Sequence, residues 1–111
     1  MTGRGKERRR DRRCPVELPA LLGELAVMLT DISVVSFGAV ARIRKASGPN
    51  LSVGDIDSLE VQLTPDRVVH LTVVIERAPD PEGHFGGRFV NLSDENYRLI
   101  EATIVGWKNQ N

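Results

Sequence analysis

The chain has 111 residues, a length that allows one domain of ordinary size and little more. Hydrophobic residues make up 41% of it and charged residues 27%, a balance typical of soluble globular domains that excludes a wholly disordered chain and an integral membrane protein. The formal net charge is zero, but residues 1–13 carry +5 and the remainder carries −5, which points to an anionic ligand or surface at the N-terminal segment.

Residues 1–13 are predicted to form a flexible basic arm, separate from a domain that covers residues 14–111. Apart from Met1 the arm has no large apolar side chain, so it cannot bury enough surface to offset the entropy of ordering. We therefore expect the arm to be mobile until a partner binds it. A solvated basic tail without a partner is the alternative interpretation.

Cys14 is the only cysteine, so no disulfide can form within the chain and nothing points to an oxidising compartment. No apolar run approaches the roughly 18 residues that a membrane-spanning helix needs. The sequence thus predicts a cytoplasmic protein, or the cytoplasmic module of a larger one, that does not itself span a membrane.

Apolar and polar side chains alternate with a period of two along most of residues 14–90, a pattern typical of half-buried strands. Six short strands are predicted, at residues 16–22, 25–29, 34–43, 59–63, 71–75 and 85–90. Segments rich in glycine, proline, asparagine and aspartate separate them, at residues 23–24, 45–53, 64–67 and 78–84. This spacing favours an antiparallel barrel or sandwich over a parallel sheet, and closure of a barrel would also remove exposed strand edges.

The period changes at the end of the chain, where residues 94–105 are predicted to form a helix. Ser93 is a good N-cap, and the acidic side chains of Asp94 and Glu95 suit the positive end of the helix dipole. Gly106 is predicted to end the helix. One face carries Tyr97, Ile100, Thr103 and Ile104, and we expect it to pack on the barrel.

No arrangement typical of an enzyme or a metal centre is visible. His70 and His84 stand apart, without a paired histidine or cysteine at metal-ligand spacing, and no nucleophile has a neighbouring base. The paired carboxylates Asp80 and Glu82 border a turn, where acidic residues are common for local reasons. We therefore expect no catalytic activity, no metal and no cofactor.

Gly86 and Gly87 interrupt the last predicted strand. Glycine inside a strand marks a bulge, or a place where backbone or a ligand comes close. We favour a tight bend of the barrel wall over direct contact with a ligand.

Two short motifs resemble those of a known family. The arginines at Arg9 and Arg13, followed by the sequence CPVELP, resemble the RxxxR opening of a PilZ domain, which leads directly into a first strand. Asp31-Ile32-Ser33 resembles the start of the second motif of the family, (D/N)xSxxG. Further similarities are the sequences VGD at residues 53–55, GRFV at residues 87–90 and LSDE at residues 92–95.

PilZ domains are bacterial receptors for the second messenger cyclic di-GMP. The resemblance implies an all-β fold, a six-stranded antiparallel barrel with a C-terminal helix, in agreement with the strand count above. It also implies that Arg9 and Arg13 contact guanine and phosphate, while Asp31 and Ser33 hold a guanine edge and the neighbouring phosphate. The full predicted ligand-binding set is Arg8, Arg9, Arg13, Asp31, Ser33, Ser36 and Gly38.

These residue types suit a guanine nucleotide. A guanidinium is a planar fork that matches guanine O6 and N7, and it also pairs with phosphate. An aspartate accepts hydrogen bonds from guanine N1 and N2, which adenine cannot supply in the same way. Asp31 is therefore the predicted specificity element.

The chain departs from the family pattern at one position. Ser36 stands where the second motif has glycine, and the nearest glycine is Gly38. Either two additional residues bring Gly38 to the ligand, or Ser36 occupies the glycine position itself.

The main functional prediction is a non-enzymatic cyclic di-GMP sensor whose arm becomes ordered when the nucleotide binds. It would signal to a protein partner or an attached module, for example one concerned with polysaccharide synthesis or motility. The alternative is a PilZ-like adaptor that binds proteins and no nucleotide. A third possibility is a nonspecific electrostatic tether to nucleic acid or membrane, although we expect no specific nucleic-acid partner.

Overall fold

The computed structural model describes residues 13–41 and 51–110, with only the backbone described at residues 109 and 110. Its elements are β1 (Cys14–Leu22), β2 (Leu25–Ile32), β3 (Ser36–Ala41), β4 (Ile56–Thr64), β5 (Arg67–Arg77), β6 (His84–Val90) and α1 (Asp94–Gln110). The strands close into an antiparallel barrel in the order β1-β2-β3-β6-β5-β4. The predicted six-stranded barrel with a C-terminal helix is confirmed.

The alternating pattern forms the core as expected. Along β1 every second side chain is buried, and the inward-facing residues of all six strands form one apolar cluster. At its centre Phe37 packs edge-on against Phe85, with ring centroids 6.2 Å apart, and stacks on Phe89 at 5.8 Å. Aromatic pairs in these geometries stabilise a core beyond the area that they bury.

Register shifts occur in β1, β2, β4 and β5, and the β-bulges in β2 and β5 bear on the site described below. Leu29 and Asp31 pair with two consecutive residues of β3, so β2 has one extra residue there. Ile75 and Arg77 likewise pair with two consecutive residues of β6, so β5 has an extra residue too. A bulge re-aims side chains, because two consecutive residues oppose one on the partner strand.

The glycine pair in β6 lies opposite the bulge in β5. Gly87 faces the interior, where a Cβ atom would collide with the carbonyl oxygen of Val74 and lie 3.1 Å from the ring of Phe37. Gly87 therefore marks a close approach of backbone and ring inside the barrel, one of the reasons for glycine within a strand, and the preference for a bend over a ligand contact stays a prediction.

The third strand begins later than predicted. Residues 33–35 form a turn and β3 starts at Ser36, because side-chain and backbone hydrogen bonds around Ser33 close a loop there. The predicted end of this strand and most of the turn after it lie outside the described residues. The β4–β5 hairpin is longer than predicted, since its ladder extends to the turn at residues 65–66.

Helix α1 begins as predicted, with the Ser93 hydroxyl accepting a hydrogen bond from the backbone N–H of Asn96 at 3.1 Å. It packs against β1 through Ile100, which is fully buried. The prediction that Gly106 ends it was wrong: the helix continues to Gln110, because Trp107 packs against the core and an interior glycine costs only about 1 kcal/mol. This helix, the one in the described part of the chain, is not long and apolar enough to cross a membrane.

Candidate ligand-binding site

Asp31 lies on the outer wall of the barrel because of the bulge in β2. Leu29 and Ile32 both point into the core and are fully buried, so the two residues between them are turned outward. The Asp31 carboxylate lies over Gly38, its partner on β3. A Cβ atom at Gly38 would be 2.8 Å from Oδ2 and 3.0 Å from Oδ1. Only glycine at this position therefore leaves room for the Asp31 carboxylate where it lies.

Arg13 stands beside this carboxylate at the start of β1. Its Nη1 atom is 3.5 Å from Asp31 Oδ1. The two groups form an ion pair at this distance, but they do not form a hydrogen bond. Oδ1 is shielded from solvent and accepts no hydrogen bond from the described residues. An ionised oxygen that faces a cation but accepts no hydrogen bond retains its acceptor capacity, so a hydrogen-bond donor that reaches it is favoured.

Ser33 shapes the loop that connects β2 and β3. Its hydroxyl accepts hydrogen bonds from the backbone N–H groups of Val35 at 3.1 Å and Ser36 at 3.0 Å, and its own N–H donates to the Ser36 carbonyl at 2.8 Å. The side chain is buried. In this structure Ser33 therefore holds the turn, and its predicted contact with a ligand stays a prediction.

Ser36, the residue at the glycine position of the motif, is buried at the first position of β3. Its hydroxyl lies 3.2 Å from the hydroxyl of Ser33, so the side chain is accommodated within the turn. Gly38 follows in the ladder, directly opposite Asp31, so both candidates for the glycine role lie at the site.

A cleft of about 570 Å³ opens beside these residues, a volume within the usual range of small-molecule sites. Its lining includes Arg13, Val35, Ser36, Arg88, Leu92 and Tyr97. Tyr97 was expected to pack on the barrel with the rest of its helix face. It is instead 41% exposed and lines the cleft, because it lies beyond the part of the helix that covers the core.

Arg88 is a cleft residue that the sequence analysis did not assign. It is the register partner of Ser36 across β3 and β6, and its Nε donates to Glu76 Oε2 at 2.9 Å. The available signal was its outward place in an alternating strand, between Gly87 and Phe89.

The structure brings together five of the seven predicted site residues: Arg13, Asp31, Ser33, Ser36 and Gly38. They meet where the first residues of the domain pass the β2–β3 corner. Arg8 and Arg9 lie outside the described residues, as does the rest of the predicted arm up to residue 12.

The acidic pair near His84 shapes a turn. Asp80 Oδ1 accepts hydrogen bonds from the backbone N–H groups of Glu82 and His84, both at 2.9 Å. The His84 hydrogen bond is the largest cause that holds the pKa of Asp80 below its ordinary value of 3.8. The side chains of Asp80, Glu82 and His84 converge on the surface. Asp80 Oδ1 already accepts backbone hydrogen bonds there, in keeping with its interpretation as a turn residue.

No protein-family model and no curated protein sequence matches the chain. Solved structures do match it. The PilZ domain of YcgR from Escherichia coli, solved with c-di-GMP, is 18% identical, covers 89% of this chain and 90% of its own length, and superposes with a TM-score of 0.66. This chain has a PilZ-type fold.

Two longer proteins contain the same PilZ-type barrel. YcgR from Escherichia coli in complex with c-di-GMP is 18% identical over 89% of this chain, with a TM-score of 0.71. The inhibitor of motility MotI/DgrA from Bacillus subtilis is 14% identical over 88%, also with a TM-score of 0.71. This chain spans about half the length of each, 45% of the first and 49% of the second.

Proposed function

We propose that this chain is a non-enzymatic receptor domain for cyclic di-GMP. The observation that carries the proposal is the shielded Asp31 Oδ1, which is ion-paired with Arg13 but accepts no hydrogen bond from the described residues, next to a cleft in a PilZ-type barrel. The similarity in fold to a YcgR domain solved with c-di-GMP supports the choice of ligand.

Guanine has the groups that this oxygen needs. Its N1–H and N2 amino group are adjacent donors, and a carboxylate accepts from both. Adenine has an acceptor at N1 where guanine has a donor. Adenine N1 and the carboxylate would face each other as two acceptors, and neither would form a hydrogen bond there. Asp31 would therefore select guanine over adenine, because a wrongly paired polar group in a shielded site is costly.

The two phosphates of the ligand require cations. Arg13 and Arg88 both line the cleft, and a guanidinium fork pairs well with phosphate oxygens, although Glu76 lines the same cleft and its ion pair with Arg88 offsets part of that positive charge. Arg8 and Arg9, which precede the described residues, would add to this positive charge.

In this proposal the nucleotide acts by drawing the basic arm against the barrel near Asp31. The surface offered to a partner protein, or to an attached module in the cytoplasm, would change as a result. A ligand shifts such an equilibrium only through its stronger binding to one of the two states, so losing an arm arginine should weaken both binding and switching.

Calorimetric titration of the full chain at physiological salt tests this function, with cyclic di-GMP and cyclic di-AMP as the two ligands. We expect saturable, guanine-selective binding that Arg13→Ala weakens about ten- to a hundredfold, the worth of one bidentate arginine contact. Arg67→Ala, which removes an exposed arginine at the far end of β5, is the matched control and should leave the affinity unchanged.

Two other results would replace the proposal. No binding to either nucleotide, with unchanged amide NMR signals for residues 8–13 and 31–38, would favour the protein-binding adaptor, for which Ser36 in the motif is the supporting feature. Weak binding that depends steeply on salt and ignores the base would favour an electrostatic tether.

A further inference from the structure

Two glycines form a flat place on the outer wall of the barrel next to Asp31. Gly38 of β3 and Gly86 of β6 are direct register partners, and both are buried. Their neighbours Phe37 and Phe85 point into the core, so both glycines face outward. We call this pair the glycine floor.

Each end of the glycine floor is covered by a charged side chain from a bulged strand. On the β2 side, the Asp31 carboxylate lies over Gly38. On the β5 side, a Cβ atom at Gly86 would be 2.5 Å from Nη2 and 3.1 Å from Cζ of Arg77, so the guanidinium lies over Gly86. The two bulges therefore aim one carboxylate and one guanidinium at the same surface.

The spacing of these two groups follows from the register. Directly paired positions on neighbouring antiparallel strands are about 5 Å apart. The Asp31 carboxylate reaches Gly38 from the β2 side and the Arg77 guanidinium reaches Gly86 from the β5 side, so a ligand lying over the two glycines would have one of these groups on either flank. Within the described chain Arg77 has no ion pair, whereas Arg88 on the next strand is paired with Glu76 at 2.9 Å.

We propose that Arg77 is a second specificity-determining residue, which reads O6 and N7 of the guanine whose N1 and N2 groups Asp31 holds. This inference rests on the proposed function and adds to it a residue outside both sequence motifs. Guanine presents N2, N1, O6 and N7 in that order along its rim. A carboxylate at the first two and a guanidinium fork at the last two satisfy all four groups.

The chemistry of a planar fork makes the assignment specific to arginine. Lysine keeps the charge but presents a single point donor, so it cannot satisfy O6 and N7 with the same geometry. If Arg77 met a phosphate instead, a point charge would serve nearly as well and the base would not matter. The two roles are therefore separable by changing either the side chain or the base.

The test combines three variants with a ligand that lacks one hydrogen-bond acceptor. Affinities for cyclic di-GMP and for its 7-deaza analogue, in which carbon replaces guanine N7, are measured by calorimetry for the wild type, Arg77→Ala, Arg77→Lys and Arg67→Ala. Arg67 is the matched control, because it is an exposed arginine at the opposite end of the same strand. Melting temperatures verify that all variants fold.

We expect Arg77→Ala to weaken binding of cyclic di-GMP about ten- to a hundredfold, and Arg77→Lys to recover little of that loss. The wild type and Arg67→Ala should bind the 7-deaza ligand more weakly than cyclic di-GMP. Arg77→Ala should bind the two ligands equally, because the partner of N7 is already gone.

The inference is overturned if folded Arg77→Ala binds as tightly as the wild type, or if the 7-deaza penalty persists in that variant. Either result, with guanine-selective binding by the wild type, leaves the proposed function in place. If the wild type binds no cyclic di-GMP, the proposed function fails and the role of Arg77 fails with it.

Discussion

Asp31 shows how one residue acquires a role from its neighbours. A carboxylate on an outer strand face is ordinarily solvated, but here Gly38 leaves a recess for it and Oδ1 is shielded from water. The ion pair with Arg13, at 3.5 Å, compensates the charge without supplying an aligned hydrogen bond. The residue is thereby left with an acceptor that a ligand donor can satisfy.

At this scale, Gly38→Ala should separate binding from stability. The new Cβ would lie 2.8 Å from the Asp31 carboxylate, which is the end of a side chain and can move aside, so the free energy of unfolding should change little. Binding of cyclic di-GMP should weaken at least about tenfold, because the acceptor is displaced. Urea unfolding and calorimetry measure the two quantities.

Gly87→Ala is the contrasting control for that experiment. Its Cβ would meet the Val74 carbonyl oxygen and the Phe37 ring, neither of which can move without distorting the barrel. We expect a loss of about 1–3 kcal/mol in the free energy of unfolding, typical of an overpacked interior. Equal stability losses in the two variants would contradict this account of the two glycines.

At the scale of elements, the turn before β6 depends on one ionised side chain. Asp80 accepts two backbone hydrogen bonds there, and the His84 N–H is the main cause of its lowered pKa. A carboxyl whose pKa is lower in the folded state stabilises the protein above its ordinary pKa. That stabilisation is lost as the pH falls below 3.8 and through the folded value.

Asp80→Asn should therefore destabilise the protein at neutral pH and make little difference once the pH is well below 3.8, where the wild-type carboxyl is protonated as well. Denaturant unfolding of both proteins across this range measures the effect. Asp66→Asn, in the exposed turn between β4 and β5, is the control. A stability difference that did not vary with pH would show that hydrogen bonding by the ionised form is not the cause.

At the scale of the whole molecule, binding and folding are linked. A ligand that binds only the folded barrel, at a hundred times its Kd, stabilises it by about 2.7 kcal/mol. For a domain of this size that stabilisation raises Tm by several degrees. Cyclic di-GMP should therefore shift the melting curve of the wild type.

Asp31→Asn should abolish this shift without lowering Tm in the absence of ligand. The substitution removes a shielded, poorly partnered carboxylate, so the free protein loses little, but it places an amide where guanine needs two acceptors. Glu17→Gln, an exposed residue of β1, should retain the full shift. A persistent shift in Asp31→Asn would mean that the ligand binds elsewhere.

Much of the fold could be predicted because its signals are local. Alternating apolar residues, as along β1, define which side chains face the core, and the Ser93 cap marks the start of α1. The end of α1 could not be predicted from Gly106, because a long-range contact of Trp107 with the core outweighs a weak local preference.

The candidate site, too, could be predicted only in part. Arg13, Asp31 and Ser33 were assigned through short motifs, since their spacing along the chain is itself the signal. Arg88 and Arg77 were missed. They are brought to the site by strand pairing, of Arg88 with β3 and of Arg77 with β6, and the spacing of neighbouring residues along the chain does not reveal that pairing.

The sequence by itself determined the number and order of the elements, the inward face of each strand and the residues of the two motifs. Only the tertiary structure decided that Gly38 pairs with Gly86, and that the bulges turn Asp31 and Arg77 toward them. Burial of alternate side chains can be inferred from one segment alone. Register and bulges belong to pairs of strands distant in sequence, and they are settled when the closed barrel packs its core.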